Sequence, residues 1–246
     1  MRTLRAILRL SSMLALAHAA SCSWAAAAPP QAVPGAATVP DLETTLRQAA
    51  PTLRPEALHA ALSAQDLLET RGLLTRKLLT VIDYGLPSTE RRLWVFDLQS
   101  GRLLYHELVA HGRNSGEDLA EVFSNQEGSL MTSLGAFVTG ETYFGKNGYS
   151  LRLRGLDPGL NDHAEARAIV MHGAPYVSDD FASRAGRLGR SHGCPAVRME
   201  IARELIDRVK DGTLLYAWHP SLISPGAPMA TSAATCRPRP GPPPRR

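Results

Sequence analysis

The chain has 246 residues, of which 44% are apolar and 20% charged, enough apolar material for one domain of ordinary size with a core of its own. Its formal charge of +4 falls to +1 without Arg2, Arg5 and Arg9, and to −3 without Arg237, Arg239, Arg245 and Arg246 as well, because neither end carries an acid. The body between the two ends is mildly acidic, which excludes a nucleic-acid surface built on net charge.

The first stretch has the order of a secretory signal: three arginines, a weakly apolar run over 10–20, then the small residues of 25–28. It predicts a removable signal over 1–28, cleaved near Ala26 or Ala28, and a mature protein working in a bacterial periplasm or cell envelope. The apolar run is short and broken by serines and His18, and no second run is long enough to span a bilayer, so no transmembrane anchor is expected in the mature chain. Ala19-Ala20-Ser21-Cys22 loosely resembles the approach to a lipidated cysteine. It lacks the leucine usual three residues earlier, and a peptidase site follows it, so lipidation at Cys22 is disfavoured. Residues 29–40, rich in Pro and Ala, read as a linker.

Residues 41–77 read as a helical N-terminal segment. Leu58, Leu62, Asp66 and Glu69 recur at helical spacing beside Leu67 and Leu68, Pro55 suits a first turn, and Gly72 marks an end. A larger domain is expected over 78–220. Strand patterns run over 79–84, 93–98 and 102–110, the last two as a hairpin about Gln99-Ser100-Gly101, and shorter ones over 136–139, 149–153 and 168–172. Glycines at 128, 135, 140, 145, 148, 155 and 159 suit a curved, loop-rich sheet. A helix is predicted over 199–209, with Ile201, Leu205, Ile206 and Val209 on one face, and a closing strand over 214–218. Residues 221–246, rich in Pro and Arg, read as a disordered tail. No glycine-rich nucleotide motif occurs, and no cofactor is expected.

The residues that carry chemistry lie in RAIVMHGAPYV and GRLGRSHGCPAVR. An apolar strand delivers His172 to its end, Gly173 lets the chain turn, and Ser191-His192-Gly193-Cys194 follows further on. A thiol becomes a strong nucleophile when an imidazole within reach takes its proton. Cys194 has two candidate bases, the neighbouring His192 and the distant His172. Gly193 permits an unusual backbone angle, and its amide can join that of Cys194 in facing an oxyanion. The residues alone leave other readings of Cys194 open: a disulfide to Cys236, a buried small side chain, or a zinc ligand. A zinc peptidase or amidase would draw on His163, His172, His192 and Cys194 with Asp157, Asp162 and Glu165, although no HExxH or CxxC spacing occurs. His106 and His111 read as ordinary surface or core histidines.

These two stretches, preceded by GETYFGKNGYSLRLRGLDPGLND, resemble the L,D-transpeptidase catalytic domain family, the YkuD-like murein enzymes of the bacterial envelope, in its branch with Pro-Ala-Val after the cysteine. The likeness covers roughly residues 78–220. It implies a mainly β fold, a curved, mixed, sandwich-like sheet with flanking helices, and acyl transfer on peptidoglycan stem peptides. By the resemblance Cys194 is the nucleophile, His172 the base, and Gly173 the residue whose carbonyl orients that base. Gly193 and Cys194 supply oxyanion amides, and His192 supports them. Better-studied members place a basic residue or asparagine closer to the cysteine than Arg198 stands here, so a substrate carboxylate is expected on Arg198, Arg190 or Arg187. Ser191, Tyr143 and Tyr149 complete the expected substrate groove. A non-catalytic wall-binding module that kept an inert thiol is the remaining alternative.

Overall fold

The structure, a computed structural model, describes residues 41–223. The expected signal, the linker, Cys22, Cys236 and all but the first residues of the expected tail lie outside them.

The helical stretch divides in two: α1 (Leu42–Ala49) and α2 (Pro55–Thr70). Asp41 caps α1 by accepting from the Thr44 amide at 2.8 Å, while Pro51 and then Pro55 at the first turn of α2 break the run. The buried face of α2 is Ala57, Leu58, Ala61, Gln65 and Leu68, and Leu67 is 49% exposed. The stripe expected through Leu62 and Asp66 is therefore rotated. Small Ala57 and Ala61 let the helix lie close on the sheet, an advantage that a search for large apolar side chains overlooks.

Nine strands form one sheet: β1 (Leu78–Asp83), β2 (Leu93–Asp97), β3 (Arg102–Glu107), β4 (Val109–Ala110), β5 (Gly135–Gly145), β6 (Gly148–Gly155), β7 (Val170–Gly173), β8 (Ala196–Val197) and β9 (Leu214–Trp218). Their order is β3-β2-β1-β9-β5-β6-β7-β8-β4. The β1/β9 and β7/β8 pairs are parallel and the others antiparallel, so the sheet is mixed. Its two outermost strands, β3 and β4, are separated in sequence by Leu108 alone. One residue spans only a few ångströms, so the sheet must curl until its edges nearly meet. Register shifts at Val95/Phe96 and between Thr139 and Thr142 supply local bends for that curl.

Inside the curl, α4 (Met199–Val209) buries Ala202, Leu205, Ile206 and Val209 against Val95, Phe137, Leu151, Leu153 and Met171. On the other side of the sheet, α1 and α2 pack on Val81, Trp94, Phe96, Leu214 and Trp218. A third cluster gathers Leu108, Ala110, Val177 and Leu188 around α3 (Asp179–Ala185), a helix capped by Ser178 that the sequence pattern does not mark. The strand expected from residue 168 starts at Val170, because Ala168 adopts φ 54, in the left-handed region.

Leu205 is fully buried at the centre of the α4 face. Leu205→Ala should cost about 2–5 kcal/mol, read as a lower urea midpoint with unchanged slope.

Candidate active site

The parallel pairing of β7 with β8 sets His172 opposite Ala196 and Gly173 opposite Val197. Cys194 stands two residues before Ala196, alongside the start of β7. Its Sγ accepts from the Val170 amide at 3.5 Å and lies 3.8 Å from the Ala168 carbonyl. The thiol is free, 7% exposed, and shares a core cluster with Ile169 and Val170. Burial pushes its pKa above the ordinary 9.0, opposed by the Val170 amide and the charge of Arg167.

His172 is 5% exposed, with Nδ1 2.9 Å from the Gly173 carbonyl. A carbonyl only accepts, so Nδ1 carries the proton and Nε2 keeps its lone pair for chemistry. Burial holds the imidazole below its ordinary 6.5, and the Gly173 carbonyl offsets this in part. The resting pair is thus a neutral base and a neutral thiol, and no hydrogen bond joins Sγ to either His172 or His192 in this structure. Gly173 has a packing reason as well, since a β-carbon there would stand 2.8 Å from Cβ of Ala202 on α4. His192 is exposed on the rim.

The Ser191–Cys194 turn is tied from both sides. Ser191 Oγ donates to the Cys194 carbonyl at 2.6 Å and accepts from the Gly193 amide at 3.1 Å. The backbone of Ser191 bonds to His111 and Arg113. Gly193 has φ +116, and a β-carbon there would meet the Met131 carbonyl at 2.7 Å, so no other residue fits without moving backbone. Of the two amides expected at an oxyanion, that of Gly193 already has an acceptor in Ser191.

The arginines expected to hold a substrate carboxylate have partners within the protein. Arg198 forms a two-pronged bond to Glu107, 2.8 Å on each side, and Arg91 shares that carboxylate. Arg190 bonds to the carbonyls of Arg113 and Gly116 and to Glu117, and Arg187 pairs with Glu117. Each of these guanidinia is thus bonded to carboxylates or carbonyls of neighbouring segments. The β5–β6 tyrosines are also engaged: Tyr149 donates to Asp207 on α4 at 2.6 Å, and Tyr143 lies under Arg152 at 4.5 Å.

Among the described residues no three His, Cys, Asp or Glu side chains converge as metal ligands, so the set proposed for zinc is not brought together. His106 stacks on Trp94, and buried His111 accepts from Arg92 at 2.8 Å and is pushed down to about 4 by burial; both are structural. Two features escaped the sequence reading. Where β6 and β7 part beyond the Arg152/Val170 pair, a cleft of about 330 Å³ opens, with Glu141, Arg152, Arg154, Glu165 and Ala168 in its lining. Arg167, three residues before β7, gathers the loop over 124–133. The clue to it was the cluster Ser124, Ser129 and Ser133, which only the fold brings to one cation.

The family model described as L,D-transpeptidase catalytic domain matches residues 49–218, more than half of the chain. No curated protein matches this chain. Similar solved structures include an L,D-transpeptidase from Mycobacterium smegmatis, at 15% identity and TM-score 0.37 over 58% of this chain and 58% of that one. L,D-transpeptidase 1 from Mycobacterium tuberculosis stands at 14% and 0.34, over 58% and 61%. The helical cell shape determining protein Pgp2 from Campylobacter jejuni stands at 13% and 0.36, over 58% and 47%. The chain thus spans between about half and three-fifths of the length of these proteins.

The geometry at His172 predicts a proton on Nδ1 at neutral pH and titration below 6.5. Nitrogen-15 NMR of labelled imidazole reads both, and an Nε2-protonated ring or a midpoint above 6.5 contradicts the assignment.

Proposed function

The chain belongs to the L,D-transpeptidase catalytic domain family, and on that premise we propose that it is a cysteine acyltransferase of the bacterial periplasm acting on peptidoglycan stem peptides. The observation that carries the reading is the β7/β8 register, which sets an imidazole with an available Nε2 on β7 and a free thiol in the turn that leads into the neighbouring β8.

In the proposed reaction the thiol of Cys194 attacks the carbonyl at the L-centre of the third stem residue, a diamino acid. His172 Nε2 takes the thiol proton as the carbon–sulfur bond forms. The oxyanion is met by the Cys194 amide and by that of Gly193 once Ser191 Oγ releases it. When the peptide bond breaks, the imidazolium returns its proton to the departing amine of the terminal D-alanine. The thioester then passes to an amine of a neighbouring stem, giving a 3-3 cross-link, or to water, giving carboxypeptidase activity. The thiol-to-imidazole hydrogen bond forms as substrate settles, since such bonds often tighten only in the reacting complex. The cleft beside Ala168, with glutamates and arginines in its lining, suits a stem peptide that carries both carboxylates and a free amine.

One observation favours a second reading, a wall-binding module with an inert thiol: Cys194 is almost wholly buried. Conversion of substrate separates the two. Cys194→Ala should fold normally yet release no D-alanine from a disaccharide-tetrapeptide, followed by mass; continued release in that variant contradicts the mechanism. For the unaltered chain, kcat/KM should fall on acidification with a midpoint below 6.5, as protonation of His172 removes the base. Exhaustive chelation should leave the rate unchanged.

A further inference from the structure

We propose that Arg167 is a positioning residue for Cys194: its guanidinium pins the loop that covers the cysteine and supplies the positive charge that stabilises the thiolate. The inference rests on the reading of Cys194 as the nucleophile and adds to it a residue outside the motif.

The placement comes from the chain itself. Arg167 is followed by Ala168, whose carbonyl faces Sγ, and shortly by Val170, whose amide faces it from the other direction. Ala168 takes φ 54, an unfavourable angle for a residue with a β-carbon, and this turn lies between the cation and the strand. The guanidinium lies against the backbone next to the thiol: Nη2 is 3.3 Å from the point a β-carbon on Gly193 would occupy.

Its partners are the second observation. Nη1 donates to the Ser124 carbonyl at 2.6 Å and to Ser133 Oγ, and Nη2 to the Met131 carbonyl at 2.7 Å and to Ser129 Oγ at 3.1 Å. All four are uncharged oxygens, and they occupy the four terminal N–H groups. Arg54, Arg91, Arg152, Arg184, Arg187, Arg190 and Arg198 each pair with a carboxylate, whereas Arg167 has none within ion-pair distance among the described residues. A half-buried cation without a counter-ion is costly, and a neutral amide can serve a loop that needs only hydrogen bonds. What sets Arg167 apart from Arg92, a buried cation that also bonds only to carbonyls and to His111, is that the group beside it is a sulfur that becomes an anion. Because the fork is filled, Arg167 is not a hook for a substrate carboxylate.

The other groups around the sulfur do not supply that charge. Tyr84, after β1, and Tyr176, between β7 and α3, both feel it and are held in the neutral phenol form, Tyr176 pushed up to about 12 and Tyr84 higher still, by burial. His172 is neutral at rest, and His192 is exposed on the rim. Arg167 is the charge that opposes the upward push of burial on the thiol, and the thiolate in turn favours the charged form of Arg167. In the proposed cycle this matters most in the second half. When an acceptor amine or water displaces the thioester, the carbon–sulfur bond breaks and its electron pair returns to sulfur, which remains an anion until the imidazolium protonates it.

The test is the pH dependence of Cys194 alkylation by iodoacetamide, with folding followed by thermal unfolding. Arg167→Gln removes the charge and should raise the alkylation midpoint by about one pH unit or more, a roughly tenfold slower reaction at neutral pH. Arg167→Lys keeps the charge but not the four-oxygen fork, and should recover most of the shift. A folded Arg167→Gln chain with an unmoved midpoint overturns the proposal, as does a lysine variant that behaves like the glutamine one. If both variants unfold, the unaltered chain decides. The nitrogen-15 resonance of Arg167 Nε should inflect at the Cys194 midpoint and run flat in Cys194→Ser, and an identical trace in both chains overturns the idea. Neither readout uses a stem peptide, so a shift without conversion refutes only the proposed function, and conversion without a shift refutes only this inference.

Discussion

Strands that run parallel side by side cannot be joined by a tight turn; the chain must leave the sheet and come back. Between β7 and β8 it leaves through α3 and the GRLGRSHG stretch, and on its return the register sets Ala196 against His172. That pairing holds a histidine on β7 beside the turn that carries a cysteine into β8, the two coming from separate stretches of sequence, with the Val170 amide directed at the sulfur. The rest of the molecule serves this register. The curled sheet carries β8 between β7 and β4, and α4 seals its inner face, with Gly173 small enough for Ala202 to press against. Glu107, at the end of β3, grips Arg198 immediately after β8 and fastens that short strand to the opposite edge.

The electrostatics follow from the same burial. Water is largely excluded from both Cys194 and His172, so each is held in its neutral form, the thiol by an upward shift and the imidazole by a downward one. In the proposed mechanism such a neutral pair transfers its proton as the sulfur begins to bond to carbon. The cation whose charge acts on the sulfur lies outside the motif, in a loop clamp whose acceptors are all uncharged.

The sequence showed its periodic parts well. The helix over 199–209 and the strand over 214–218 match α4 and β9, because long amphipathic and apolar runs leave few alternatives. His172 at a strand end and the Ser191–Cys194 turn were visible because histidine, glycine and cysteine in that order have few structural uses. Partners chosen by the fold were not visible. Arg198 looked free for a substrate, yet Glu107, 91 positions away in sequence, takes it; Tyr149 looked like a groove wall and is docked on Asp207. Arg167 was not singled out, since its four acceptors lie 34 to 43 residues upstream. Side chains whose role depends on distant backbone leave no local periodicity to read.

The central claim is that the sulfur set by this register forms a bond to substrate. Quenching the unaltered chain in acid during turnover of a disaccharide-tetrapeptide, under reducing conditions, and mapping its peptides by mass tests it directly. The account predicts one acyl group, the substrate less its terminal D-alanine, on the peptide that contains Cys194. Turnover with that peptide unmodified and the acyl group elsewhere, or no covalent species at any quench time, would contradict it.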